Sequence, residues 1–441
     1  MSGTIPDSLC KNILINDGNA LRYGCHAIAC PAGSFSGNGA ASSSGTCRSC
    51  RNKNSKILGK VSCASQSSDS SSKLNHNKYL NELRSPPTDF PDVDGNGMIS
   101  QREVLRMLYL YTSVDEIGSG WDHDPTSMWH KWKDLKVHEC DLPGIICRNG
   151  DVVSILLQEV DLCNQGNVKG RVNEAHNGKC WGLPSELGLL NYLEVLDLSH
   201  SPGLRGNIPS ELGDLQYLKD LNLSYSPNIG GTLPAEFGNL KSLTRLSLTD
   251  VGLQGPIPIE IGDLKNLKNL DLSLNFFTGS IPDSLGSLSN VKEIFLSRNE
   301  LNGTIPESLG NLLQLQNLEL YGNKIEGTLP TSLSKCLFLM RIDVFNNKMT
   351  GTIPSALTSI PMLQILHLKN NFFTGTIPDA FGNHPLLSWF DVSTNLLRGK
   401  IPDTFSNNQN DLQNLRLGEN RYEDGFSIAL FLQFAISTKF S

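Results

Sequence analysis

The 441-residue sequence lacks the features that mark several large classes of protein. Its longest apolar stretch, from Phe426 to Ile436, is too short for the roughly 20 residues of a transmembrane helix, so no membrane span is expected within the chain. Charged residues make up only 18% of the chain, and the net charge of −7 argues against a nucleic-acid partner. It contains no phosphate-binding glycine loop, HExxH zinc motif or GxSxG nucleophile motif, so the sequence predicts no enzyme.

What the chain does contain is glycine, with 40 copies, and a strict period of 24 or 25 residues. Each unit contains the pattern LxxLxLxxN, where x is any residue, followed by a Gly and an Ile-Pro or Leu-Pro pair. The LxL segment alternates with period two, so it predicts a short strand with buried leucines. The asparagine turns the chain after the strand, and stacked copies are expected to satisfy backbone groups in a ladder. The recurring asparagines are Asn275, Asn299, Asn323, Asn347, Asn371, Asn395 and Asn420.

The second half of each unit, LxGxIPxxLGxLxx, resembles the plant-type leucine-rich repeat of receptor-kinase ectodomains and polygalacturonase-inhibiting proteins. This resemblance covers residues 193–420 and implies an α/β repeat fold: a right-handed leucine-rich-repeat solenoid with a parallel concave β-sheet over 151–425. It also implies a binding protein without turnover, and inhibition of a secreted hydrolase is one form of such binding.

Residues 79–150 resemble the N-terminal cap that closes such an array. Val104, Leu105 and Leu108 lie at helical spacing, and tryptophans and a cysteine pair follow them. The resemblance implies a disulfide between Cys140 and Cys147, which have six residues between them. Beyond the cap, Cys163 and Cys180 bracket an irregular insertion in the first repeat, and we expect a second local disulfide there.

The first 63 residues hold six of the eleven cysteines, which predicts a small Cys-rich disulfide module. This module resembles those of tumour-necrosis-factor and ephrin receptors, and a Ser-rich linker (64–78) follows it. The opening SGTIPDSLC matches the tail of a repeat, so we expect an earlier array upstream. The disulfides, with the two N-x-S/T sequons at Asn222 and Asn302, predict an extracellular or cell-surface protein. Residues 426–441 form an apolar C-terminal segment.

The motif DVDGNGMISQRE, residues 92–103, matches the EF-hand calcium loop. Calcium binds six to eight oxygen atoms, and this spacing can place them around one tight turn. The alternative is an acidic turn in which Ser100 and Glu103 cap the following helix. The candidate Ca²⁺ ligands are Asp92, Asp94, Asn96, Met98 through its carbonyl, Ser100 and Glu103.

The strand positions that flank the buried leucines change in character along the array. They are small or polar in the early repeats, and aromatic or basic in the later ones. Aromatic residues and arginine dominate binding energies at interfaces, so this cluster predicts a binding site for an extracellular protein, peptide or glycan. The alternatives are rings that only pack on each other across strands, and a structural or adhesive protein with no discrete ligand. The predicted site residues are Phe295, Arg298, Tyr321, Arg341, Phe345, His367, Lys369 and Trp389.

Overall fold

The structure, a computed structural model, describes residues 34–35, 48–49, 99–112, 131–132, 137–158, 182–405 and 412–422. The chain divides into two units, Met1–Ile99 and Ser100–Ser441. In the first unit, strand β1 (Ser34–Phe35) pairs antiparallel with β2 (Arg48–Ser49). The predicted linker and the apolar C-terminal segment lie outside the described residues.

Helix α1 opens the described part of the second unit and spans Gln101–Thr112. Val104, Leu105 and Leu108 are at most 1% exposed and join the core of the array, as their spacing predicted. The helix begins three residues before Val104, and the Thr112 hydroxyl donates to the carbonyl of Leu108 in its last turn. The apolar face of α1 therefore packs against the core that the repeats continue.

The main β-sheet has twelve strands within the described residues, in the order in which the chain visits them. Its first pair, β3 and β4, is antiparallel, and every later pair is parallel and joins one repeat to the next. The strands are β3 (Ile145–Arg148), β4 (Asp151–Leu156), β5 (Val195–Asp197), β6 (Asp220–Asn222), β7 (Arg245–Ser247), β9 (Asn269–Asp271), β11 (Glu293–Phe295), β12 (Asn317–Glu319), β14 (Arg341–Asp343), β16 (Ile365–His367), β17 (Trp389–Asp391) and β18 (Asn414–Arg416). This confirms the predicted repeat solenoid with a parallel sheet.

The central residue of each strand points into the core, and its counterparts align in register across the sheet. Leu318 pairs with Ile294 on one side and Ile342 on the other, and all three are 0% exposed. Because one repeat presents only a thin slice of apolar surface, each slice is covered by its neighbours, and the repeats are stable only as an array.

Short 3₁₀ turns and a second set of strands complete each repeat. The turns follow the Ile-Pro or Leu-Pro pairs and lie at Ser185–Leu189, Ser210–Asp214, Ala235–Asn239, Ile259–Asp263, Asp283–Ser287, Glu307–Asn311, Thr331–Lys335, Ser355–Ser359, Asp379–Asn383 and Asp403–Phe405, with another at Glu139–Asp141 in the cap. The second strands pair in parallel, β8 (Gln254–Pro256) with β10 (Phe276–Thr278) and β13 (Glu326–Gly327) with β15 (Lys348–Met349). We call these paired strands and the single bridges that continue them the second sheet.

The glycine between main strand and turn is required by geometry. Gly351 has φ of +79°, and a Cβ there would lie 2.7 Å from the methyl group of Thr328 in the preceding repeat. A side chain at this position would therefore meet both backbone strain and a steric clash.

The asparagine of each repeat forms the predicted ladder, and Asn323 shows how. Its side-chain amide donates to the carbonyls of Leu320 (3.0 Å) and Leu296 (2.9 Å), and its oxygen accepts from the backbone N–H of Leu301 at 3.0 Å. Leu296 and Leu301 belong to the preceding repeat. The asparagine thus satisfies buried backbone groups in two repeats at once.

Candidate functional site

Four rings from four successive repeats form one continuous stack on the outward face of the main sheet. We call Tyr321, Phe345, His367 and Trp389 the aromatic ladder. Tyr321 and Phe345 lie 6.0 Å apart between ring centroids, Phe345 and His367 5.0 Å, and His367 and Trp389 6.3 Å. The first two pairs are stacked, with interplanar angles of 26° and 8°, and the third is tilted by 50°. Four predicted site residues are thereby brought together.

An arginine lies over each end of the ladder. The guanidinium carbon of Arg298 lies 5.9 Å from the centroid of the Tyr321 ring, and that of Arg416 lies 5.7 Å from the Trp389 ring. Both distances allow a cation–π contact. Arg298 was predicted as a site residue, whereas Arg416 was missed, although it follows Asp391 in register in the last described strand.

His367 is held between two buried carboxylates of the neighbouring strands. Its Nδ1 lies 3.3 Å from Asp343 Oδ2 and its Nε2 3.5 Å from Asp391 Oδ2. Burial alone would lower the pKa of His367, but hydrogen bonds and attraction from Asp343 and Asp391 outweigh burial and raise that pKa to about 9. The ladder therefore contains an imidazolium cation at neutral pH.

The pKa of Asp391, the partner of this cation, is shifted downward. Burial by itself raises the pKa of Asp391, but hydrogen bonds from His367 and Ser393 outweigh it and lower the pKa. Both members of the pair are thus charged at neutral pH, as expected for an ion pair shielded from water.

Arg341, a predicted site residue, is engaged inside the protein. Its Nη2 lies 2.7 Å from Asp343 Oδ2, and its Nε lies 3.0 Å from Glu319 Oε1. The second contact is an ion pair whose N–H is not aimed at the carboxylate, so Nε makes no hydrogen bond there. Burial raises the pKa of Glu319, and Arg341 partly offsets this. Arg341 thus neutralises buried acids rather than presenting a free charge.

The two remaining predicted residues lie beside the ladder rather than in it. Phe295 ends β11, in register with Glu319 of the next strand. Lys369 lies one repeat beyond Phe345 and is half-buried, and its carbonyl accepts from Asn346 N at 2.9 Å. Within the described ranges, the indole N–H of Trp389 is buried and has no hydrogen-bond partner.

Three carboxylates on the outward face of the main sheet are buried, although the alternation of strand residues would place them in solvent. Asp197, Asp343 and Asp391 are only 7%, 2% and 1% exposed. Asp391 Oδ1 accepts from both the N–H and the hydroxyl of Ser393, and the same pattern links Asp197 to Ser199. Neighbouring strands crowd short side chains on this face, so each carboxylate turns toward the N–H two residues ahead.

The calcium loop is only partly described. Asp92, Asp94, Asn96 and Met98 lie outside the described residues. The other two candidate ligands form the helix cap that was the alternative interpretation: Ser100 N donates to Glu103 Oε2 at 2.6 Å, and Glu103 N donates to Ser100 Oγ at 3.3 Å. Among the described residues, no three acidic, histidine or cysteine side chains converge as a metal site.

The cysteines that the structure describes form one disulfide and leave one buried thiol. Cys140 and Cys147 form a disulfide with Cα atoms 5.5 Å apart. Cys163 and Cys180 lie outside the described residues. Cys336 is a buried thiol, and burial raises its pKa to about 11, so it stays protonated and unreactive.

Comparison with known proteins supports the fold. Residues 265–325 match the family described as "Leucine rich repeat", and residues 362–384 match "Leucine Rich Repeat". The described array is a leucine-rich-repeat solenoid. No protein of curated function matches the chain by sequence.

Solved plant receptor ectodomains are similar to this array. The Arabidopsis receptor kinase HAESA ectodomain, in complex with a peptide hormone ligand, is 31% identical over 73% of this chain, with a TM-score of 0.57. The Arabidopsis thaliana GASSHO1/SCHENGEN3 ectodomain, in complex with CASPARIAN STRIP INTEGRITY FACTOR 2, is 25% identical over 76%, with a TM-score of 0.59. The chain spans 49% and 43% of these two proteins, about half their length or less. A plant ice-binding protein shares the fold at 23% identity over 73% of this chain and 86% of its own, with a TM-score of 0.53.

Proposed function

We propose that this protein is a non-catalytic recognition protein of the cell surface or extracellular space, and that it binds an extended acidic peptide across the aromatic ladder. The observation that carries the proposal is the aromatic ladder itself, a stack of rings with Arg298 over one end and Arg416 over the other. Within the described ranges, no helix is long and apolar enough to cross a membrane.

The way the rings are stacked favours a peptide over a glycan. A sugar binds aromatic side chains by lying on an open ring face. Here Phe345 lies between Tyr321 and His367, and the arginines lie over the outer rings. With those faces occupied, the ladder offers ring edges and flanking cations, which suit the side chains and carbonyl groups of an extended chain.

The exposure of the charges favours an acidic ligand. Asp343 and Asp391 are buried and are neutralised by Arg341 and His367. Arg298 and Arg416 are exposed, and Lys369 is half-buried. These two acids are therefore hidden while Arg298 and Arg416 face solvent, which favours a positive local surface on a chain whose net charge is −7.

The structural neighbours support a peptide or protein partner. The HAESA and GASSHO1/SCHENGEN3 structures hold a peptide hormone and CASPARIAN STRIP INTEGRITY FACTOR 2 respectively. Because this chain spans half of those proteins or less, their ligands support the class of partner and do not identify it.

A binding titration with designed probes tests the proposal. We would titrate the full chain with a fluorescent ten-residue peptide rich in Glu, Tyr and Leu, and with its counterpart in which Lys replaces Glu. We expect binding of the acidic peptide alone, a loss of about tenfold or more in Phe345→Ala, and a comparable loss in Lys369→Glu.

Matched controls separate the ladder from general surface effects. Phe276 is 60% exposed on the second sheet, and Lys348 lies in β15, so Phe276→Ala and Lys348→Glu should bind like the wild type. The melting temperature of each variant checks that the array stays folded. Equal binding of both peptides, or equal losses in the ladder variants and the controls, would reject the ladder as the site.

We also propose that the loop at residues 92–103 binds Ca²⁺, on the strength of its sequence pattern alone. The cap formed by Ser100 and Glu103 uses Oε2 of Glu103. Calcium titration of the full chain by calorimetry, beside Asp92→Ala and Asp94→Ala, tests this proposal. Heat and a raised melting temperature that both variants lose are expected, and a wild type that gives no heat would reduce the loop to a helix cap.

A further inference from the structure

We propose that Asn302 is an N-glycan attachment site and that the second sequon, at Asn222, stays unmodified in the folded protein. The inference rests on the extracellular location within the proposed function, because the modification takes place in the secretory pathway. Both sites have the required N-x-S/T pattern, so the sequence alone treats them as equal. Their surroundings in the structure are different.

Asn302 has the chemistry that glycan transfer requires. The residue is exposed, and its backbone N–H donates to Gly279 O at 2.9 Å, so only the backbone is tied into the second sheet. Thr304, the third sequon residue, is also exposed. Within the described ranges, neither the Asn302 amide nitrogen nor the Thr304 hydroxyl has a hydrogen-bond partner. Both sequon side chains are therefore free, so a glycan on Asn302 would break no side-chain hydrogen bond of the folded array.

Asn222 is built into the main sheet. Its Nδ2 donates to Asp197 Oδ2 at 3.1 Å, and its Oδ1 accepts from the N–H of Ser224 at 3.1 Å. Ser224 is 5% exposed, and its hydroxyl accepts from Thr249 N at 3.2 Å. A glycan on Asn222 would disturb these bonds in a row of crowded side chains, so chains modified there should fold poorly.

The transfer step balances without any further reactant. The donor is an oligosaccharide linked through pyrophosphate to a membrane lipid. The Asn302 Nδ2 attacks the anomeric carbon, the bond from that carbon to the phosphate oxygen breaks, and the lipid pyrophosphate leaves. The amide loses one proton to the transferase, and a carbon–nitrogen bond to the sugar remains.

A glycan at Asn302 would shield the second sheet and leave the main sheet accessible. Asn302 pairs with Ser280 on the second sheet, one strand spacing of about 4.8 Å away. A branched sugar there would cover the second sheet and leave the aromatic ladder free.

Mass spectrometry of the secreted full chain tests the inference. The chain would be expressed behind a secretion leader in mammalian cells, and amidase release of glycans in ¹⁸O water would mark each modified asparagine as labelled aspartate. We expect the label at Asn302 and none at Asn222 in the secreted pool. Thr304→Val and Asn302→Gln should abolish the gel-mobility shift, whereas Thr304→Ser, which keeps the sequon, should retain it.

The experiment separates failure of the glycan inference from failure of the proposed peptide binding. A secreted chain without label at Asn302, or with equal label at Asn222, would overturn the inference. Peptide binding by the aromatic ladder is read separately in Asn302→Gln, which should bind the acidic peptide like the wild type. An unmodified Asn302 together with intact peptide binding would therefore reject the glycan alone.

Discussion

The ion pairs around His367 predict a stability that falls as the pH rises toward 9. The pKa of His367 is about 9 in the folded chain against an ordinary value of 6.5, because Asp343 and Asp391 stabilise the imidazolium. A pKa raised by folding contributes its full stability below pH 6.5, and this contribution is lost as the pH rises through 9. At 1.36 kcal/mol for each pH unit between the two values, the contribution is about 3 kcal/mol. The side chain is only 19% exposed, so solvent screening removes little of it.

Urea unfolding of the wild type and His367→Gln between pH 6 and pH 9.5 measures this contribution. The gap in unfolding free energy between the two proteins should shrink by about 3 kcal/mol across that range. Asp343→Asn and Asp391→Asn should each flatten the pH dependence of the wild type, because each removes one of the charges that raise the pKa. Parallel curves for the wild type and His367→Gln would refute the reasoning, since His367 would then titrate alike in both states.

Three further predictions concern the scaffold. Asn323→Ala should lower the unfolding free energy by about 2 kcal/mol, because it leaves the buried N–H of Leu301 without its partner, while Leu296 O and Leu320 O keep Asn299 and Asn347 as donors. The exposed Asn311→Ala should stay within about 0.5 kcal/mol. Urea midpoints would show both effects, and equal effects would contradict the ladder. Ser100→Ala should cost about 1 kcal/mol through loss of the helix cap, and an unchanged melting temperature would rule that cap out. Burial raises the pKa of the Cys336 thiol to about 11, so above pH 9 the wild type should lose stability that Cys336→Ala keeps. Unfolding curves of the two proteins at pH 8 and pH 10.5 measure this difference.

The repeat fold could be predicted from the sequence because its cause is local and periodic. A leucine or asparagine on a fixed period meets its counterpart in the next repeat whatever the rest of the chain does. The same regularity predicted the role of Asn323, which needs only the neighbouring backbone. The cap of α1 was likewise visible in the spacing of Ser100 and Glu103.

The candidate site could be predicted only in part, because its members come from different columns of the sheet. Tyr321 and Phe345 lie two residues beyond their strands, His367 ends β16, and Trp389 begins β17. Their diagonal contact depends on how side chains lean across strands, which a one-dimensional pattern does not encode. Arg416 was missed for the same reason.

The burial of Asp343 and Asp391 does not follow from the strand pattern. The alternation rule assigns every second strand residue to solvent, and Asp343 and Asp391 do point outward. Larger neighbours, among them His367 and Arg341, close over them. How far a carboxylate on this face is buried depends on the size of the side chains in the adjoining repeats. The sequence pattern of one repeat therefore does not reveal it.

The asparagine ladder gives the array a direction. Asn323 completes the hydrogen bonds of the repeat before it, through Leu296 O and Leu301 N, yet it also bonds Leu320 O within its own repeat. Removing the following repeat would take away the partner of Leu301 N, whereas removing the preceding one would leave Asn323 bonded to Leu320 O. These bonds therefore make a later repeat costlier to lose than an earlier one. Because the aromatic ladder lies on later repeats, the asparagine ladder holds the proposed binding surface at the end of the array that is harder to unravel.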